Sequence, residues 1–112
     1  MSSISPANQK KISEIRDLPD NWNENGALGF SDEILNMLCQ ILEKLSVQPQ
    51  IFPTARDSIQ LEFENNYGDY LEVELFEDGR LKEFFYVQDG KTEIREIRIE
   101  SIAEEIARFH CT

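Results

Sequence analysis

Apolar residues recur along this chain with two different periods, and the switch between them divides it. Ile34, Leu35, Leu38, Ile41, Leu42 and Leu45 follow one another at steps of three and four, the spacing of one helix face. Ser31-Asp32-Glu33 precede them, a capping hydroxyl followed by carboxylates where the helix dipole favours them. A helix is therefore expected from there to about Leu45. A shorter one is expected further upstream, opened by Ser5-Pro6, faced by Ile12, Ile15 and Leu18, and ended at Pro19. Between the two, Pro19 to Ala27 is rich in Asn, Asp and Gly and reads as an ordered loop anchored by Trp22.

From Ser58 the period becomes two. Ile59, Leu61 and Phe63 alternate with Gln60, Glu62 and Glu64, and after a turn at 65–69 Leu71, Val73 and Leu75 alternate with Tyr70, Glu72, Glu74 and Phe76. Further turns at Asp78-Gly79 and Asp89-Gly90 bound a strand from Leu81 to Val87, and Thr92 to Ile99 makes the last. Gln50 to Thr54 adds an edge strand, since Pro53 cannot donate to a ladder and so argues against a central position. Ser101 with Glu104 fits a capping box, opening a C-terminal helix faced by Ile102, Ala103, Ile106 and Phe109. The expected architecture is a single α+β domain over residues 1–112. It has two layers: an antiparallel meander of four to five strands, packed with two N-terminal helices and one C-terminal helix.

Charge narrows the function classes. Twenty-two acidic residues against eleven basic ones give a net charge of −11. Direct binding to nucleic acid is disfavoured, because affinity there rests on Lys and Arg neutralising phosphates. An anionic membrane surface is disfavoured for the same reason. No stretch approaches the length of a membrane span and no leader-like apolar run follows a basic start, so a cytoplasmic location is expected. Cys39 and Cys111 do not form a disulfide framework.

The acids are unevenly placed. Between Arg56 and Arg80 there is no Lys or Arg, while Asp57, Glu62, Glu64, Asp69, Glu72, Glu74, Glu77 and Asp78 all fall there. Alternation sets Glu62, Glu64, Glu72 and Glu74 on one face of two neighbouring strands. With the hairpin centred near Tyr67, Glu62 lies opposite Glu72 and Gln60 opposite Glu74. Like charges so opposed are unfavourable, and stability alone gives no reason to keep them. Three readings are open: a solvated face partly neutralised by Arg80 and Lys82, a docking face for a basic partner, and a divalent cation site. The last lacks both a wrapping loop and a histidine.

The next hairpin has two open registers. A three-residue loop Glu77-Asp78-Gly79 turns Leu81, Glu83 and Phe85 inward and Lys82, Phe84 and Tyr86 outward, placing aromatics beside the glutamates. A two-residue Asp78-Gly79 turn swaps the faces.

Signs of catalysis are weak. His110 is the only histidine and sits near the C-terminus, where a frayed-helix residue is expected. Neither cysteine has the companions a nucleophile needs. Asn25 to Gly29 lacks the spacing and the lysine of a phosphate loop, and Trp22 with Phe30 reads as a core plug. No catalytic residue, metal ligand or cofactor is assigned.

The residues Asn21-Trp22-Asn23-Glu24-Asn25-Gly26-Ala27, the segment Pro49 to Thr54 and the strand Ile59 to Glu64 together resemble a loose group of small uncharacterised bacterial proteins. That group has a Trp-Asn-x-x-Gly-Ala loop, a helix, a Pro-x-Ile-x-Pro-Thr segment and a Leu-Glu-Phe strand. The resemblance implies a bacterial or mobile-element origin and transfers no functional residue.

The function expected from the sequence is therefore binding without turnover. A small inhibitor or antitoxin-like protein would mask a basic, nucleic-acid-handling protein partner with Glu62, Glu64, Glu72 and Glu74, helped by Tyr70 and Phe84. The alternatives are an accessory subunit using its helical face and a small carboxylate-based enzyme. Self-association is left open.

Overall fold

A computed structural model describes residues 4–86 and 92–111, with side chains described for these except 82–86, 92, 93, 95 and 111. The chain is α+β: helices α1 (Pro6–Arg16), α2 (Asp32–Lys44) and α3 (Ile102–Cys111), and strands β1 (Gln50–Thr54), β2 (Ser58–Glu64), β3 (Tyr70–Phe76), β4 (Leu81–Tyr86) and β5 (Thr92–Ile97). The strands lie in sequence order, each antiparallel to the next, which places β1 and its Pro53 at an edge. The expected Asp89-Gly90 turn lies outside the described residues.

Helices α1 and α2 each begin where a side chain satisfies free N–H groups. Ser5 Oγ accepts from Asn8 N at 3.2 Å, and Ser31 Oγ accepts from Ile34 N at 3.3 Å. The first helix stops at Arg16 rather than Leu18, because Pro19 disfavours the helical conformation for the residue before it. A 3-10 turn at Ile99–Ser101 leads into α3.

On α2 the apolar stripe becomes one buried face, with Ile34, Leu35, Leu38, Ile41 and Leu42 all inaccessible to solvent. It meets Ile51, Ile59, Leu61, Phe63, Leu71, Val73, Leu75 and Leu81 from the sheet, joined by Ile12 and Ile15 of α1 and Ile102, Ile106 and Phe109 of α3. Burying each large aliphatic chain contributes about 2 kcal/mol, so this face orients the sheet and leaves the alternate strand positions to line its other side.

Two turns set the register of that other side. In the β2–β3 hairpin Asn65 Oδ1 accepts from Tyr67 N and Asp69 N, both at 3.0 Å, and Asn65 Nδ2 donates to Phe109 O at 3.3 Å. The turn is thereby tied to the end of α3. In the β3–β4 hairpin Phe76 N donates to Arg80 O at 3.0 Å and Gly79, at φ 87°, donates to Phe76 O at 2.9 Å. This is the three-residue loop: Leu75 pairs with Leu81, and Leu81 is buried. A left-handed residue closing such a loop favours glycine, which resolves the ambiguity left by the sequence.

Candidate functional site on the outer sheet face

The central pair of strands brings the four glutamates together in the expected register. Glu62 stands opposite Glu72, Gln60 opposite Glu74 and Glu64 opposite Tyr70. In the next pair Glu72 is in register with Phe84 and Glu74 with Lys82; the side chains of Phe84 and Lys82 lie outside the described residues.

The four carboxylates do not share one environment. Glu74, expected on an open face, is only 4% exposed. The Ser58 hydroxyl donates to its Oε2, and Arg56 Nε donates to the same oxygen at 3.1 Å. Arg56 reaches it from the β1–β2 turn while remaining 64% exposed itself. A carboxylate held by a guanidinium and a hydroxyl tolerates burial that an unpaired one would not. Arg80, expected beside Glu74, instead pairs with Asp78 at 2.6 Å and lies 5.0 Å from the Phe76 ring centroid. The Arg80 backbone N–H donating to Asp78 Oδ1, helped by the Arg80 guanidinium, holds the Asp78 carboxyl below its ordinary range.

Glu72 is half-buried and accepts a hydrogen bond from Gln60 Nε2. Partial burial pushes its carboxyl above the ordinary range, and the neighbouring charges of Glu62 and then Glu74 push the same way, with Arg56 opposing. Glu62 is half-buried and Glu64 exposed. Neither has an ion-pair partner among the described residues. The outward charge is thus concentrated on Glu62, Glu64 and Glu72 beside the half-buried Tyr70.

Next to this cluster, at the corner where β1 stops short of the end of β2, lies a cavity of about 310 Å³. Gln50, Glu62, Glu64, Tyr70 and His110 are among its walls. The frayed end expected at His110 is not found: α3 continues to Cys111, and the imidazole is half-buried. Its ring centroid lies 6.0 Å from that of Phe63 and 5.1 Å from that of Phe109, both edge-on. Its Nε2 is buried with no hydrogen-bond partner among the described residues. One signal was present in the sequence, since His110 follows Ile106 by four residues and continues that face of the helix.

Trp22 is half-buried, its Nε1 donating to Leu28 O at 2.9 Å and its ring 6.4 Å from that of Phe30. Cys39 is also half-buried, and desolvation raises its thiol above the ordinary range, the opposite of what a nucleophile needs. Among the described residues no group of three or more His, Cys, Asp or Glu is placed to hold a metal ion. No helix among them is long and apolar enough to cross a membrane. The chain matches no family model, no curated protein and no solved structure.

Proposed function

We propose that this chain is a cytoplasmic binding protein of the inhibitor or antitoxin type, acting without turnover. Its helices would form one layer and the five-stranded meander the other. The open face of the meander would mask a basic surface on a nucleic-acid-handling partner protein. The observation that carries the reading is the opposition of Glu62 and Glu72, with Glu64 alongside, none of them in an ion pair among the described residues. Such an arrangement costs folding free energy and is relieved when cationic groups dock against it, which also speeds encounter and selects the partner.

Two features favour this over the alternatives. An accessory subunit docking by its helices calls for an apolar helical patch. The large hydrophobic residues exposed among those described are Leu28, Val47, Phe52, Tyr67 and Ile94, and none lies on a helix. A carboxylate enzyme calls for a concave site around a carboxyl of raised pKa. Among the described residues Glu72 is the carboxyl so raised, and it is not among the walls of the neighbouring cavity.

The test is a pull-down with tagged protein from the host of origin in low and moderate salt, read by mass spectrometry. A basic partner released as salt rises supports the reading. A partner held equally at both salt concentrations, or self-association alone, removes it.

A further inference from the structure

A second concavity lies at the other end of the sheet from the Glu64–Tyr70 pair and is independent of the masking face. It opens between the Trp22 loop and the two turns that follow β1 and β3, with a volume of about 710 Å³, within the range of ligand-sized sites. Leu18, Pro19, Leu28 and Phe30 supply apolar lining. Three acidic residues line it as well: Asp20 from the loop, Asp57 from the β1–β2 turn and Glu77 from the β3–β4 turn. No Lys or Arg among the described residues lines it.

Two of the three carboxylates have structural work. Asp20 Oδ1 accepts from Gly29 N at 2.9 Å, and Glu77 accepts from Ser31 N at 3.1 Å and from the Ser31 hydroxyl at 2.5 Å. Asp57 is exposed and has no hydrogen bond or ion pair among the described residues. Arg56 and Arg80 share an adjoining recess with Asp57 and Glu77, but their guanidiniums pair with Glu74 and Asp78. The apolar lining is held in place by the loop's own hydrogen bonds. Gly26 N donates to Asn21 Oδ1 at 2.8 Å and Ala27 N to Asn23 Oδ1 at 3.0 Å. A Cβ on Gly29 would stand 2.7 Å from Leu18 O, so the loop closes against its own base only with glycine there. Leu28 is nonetheless 54% exposed at the rim, an apolar side chain left in water by an otherwise tightly bonded loop.

Apolar lining beside carboxylates complements a cation on an aliphatic stem. We propose that this cavity receives a Lys or Arg side chain of a partner protein, its stem against Leu18, Leu28 and Phe30 and its charged head at Asp57. Glu77 and Asp20 add negative potential while keeping their hydrogen bonds.

The experiment is an NMR titration of the whole chain with the N-acetyl N-methylamides of lysine, arginine and the neutral isostere norleucine, with cadaverine as the free-amine arm. Saturable shifts at residues 18–31, at Asp57 and at the Trp22 indole N–H are expected for the two cations and not for norleucine. Asp57→Asn keeps a residue type that tolerates the φ of 58° found there. It should weaken binding about fivefold, as loss of an exposed charge partner does. Leu28→Ser, at an exposed position, should weaken it too and supplies a second variant. Absence of saturable shifts, an equal response to norleucine, or unchanged affinity in Asp57→Asn would overturn the proposal. So would cadaverine binding tenfold or more tightly than the lysine derivative, which would make a free diamine the occupant.

Discussion

Ser31 and Glu77, far apart in sequence, join the start of α2 to the β3–β4 hairpin. The carboxylate accepts from the Ser31 backbone N–H at 3.1 Å and from its hydroxyl at 2.5 Å, while the same hydroxyl oxygen accepts from Ile34 N at 3.3 Å. One acidic side chain thus holds a helix cap and a hairpin loop in fixed relation. Glu77→Ala leaves the cap without its anchor and should cost about 1–3 kcal/mol, the loss of a charge-assisted hydrogen bond. Urea unfolding would show it as a lower midpoint with an unchanged slope.

Ser58 matters more to Glu74 than its small size suggests. Ser58 is fully buried and Arg56 mostly exposed, so the hydroxyl hydrogen bond is shielded from solvent. Ser58→Ala should destabilise by about 1–3 kcal/mol, and Arg56→Ala by at least as much, because it leaves the buried Glu74 carboxylate without its cation. Equilibrium unfolding of the two variants side by side checks the order.

Glu72 carries a pH signature. Its carboxyl is raised in the folded state, so between the unfolded and folded pKa values the folded chain binds more protons and stability falls as pH rises. At neutral pH the charged form is therefore a net cost. Glu72→Gln removes the charge and keeps an oxygen for the Gln60 amide, so it should be more stable than the parent at pH 7. The difference should shrink as pH falls from above the ordinary carboxylate range into it. Thermal unfolding across that window measures it, and a gap that widens on acidification would contradict the assignment.

Glu62 sets function against stability. Glu62→Lys turns the like-charge pair with Glu72 into an opposite one and should stabilise the fold by about 0.2–1 kcal/mol. On the masking reading it should also slow association with the basic partner and flatten its salt dependence. Stopped-flow association beside a denaturant titration tests both effects in one variant.

Much of the sheet was legible because its signals are local. Alternation over Ile59 to Phe63 and over Leu71 to Leu75 assigns the faces, and the position of the turn between them then places Glu62 against Glu72. The three- and four-residue steps on α2 likewise specify its buried face before any partner is known. Other features had no local signal. Nothing in the alternation separates Glu74 from Glu62, yet the first is buried and the second half-exposed.

The sequence by itself determined the α+β class, the phase of each central strand and the gathering of glutamates on one sheet face, because each follows from a period of two or 3.6 residues. The tertiary structure decided which of those glutamates keep an outward charge. It did so by bringing Arg56 and Ser58 onto Glu74 and Gln60 onto Glu72. It also set His110 against Phe63 and built the Asp57 cavity from a loop and two turns distant in the chain. Those outcomes depend on which side chains meet across the fold, and such meetings are settled only when the whole core has packed.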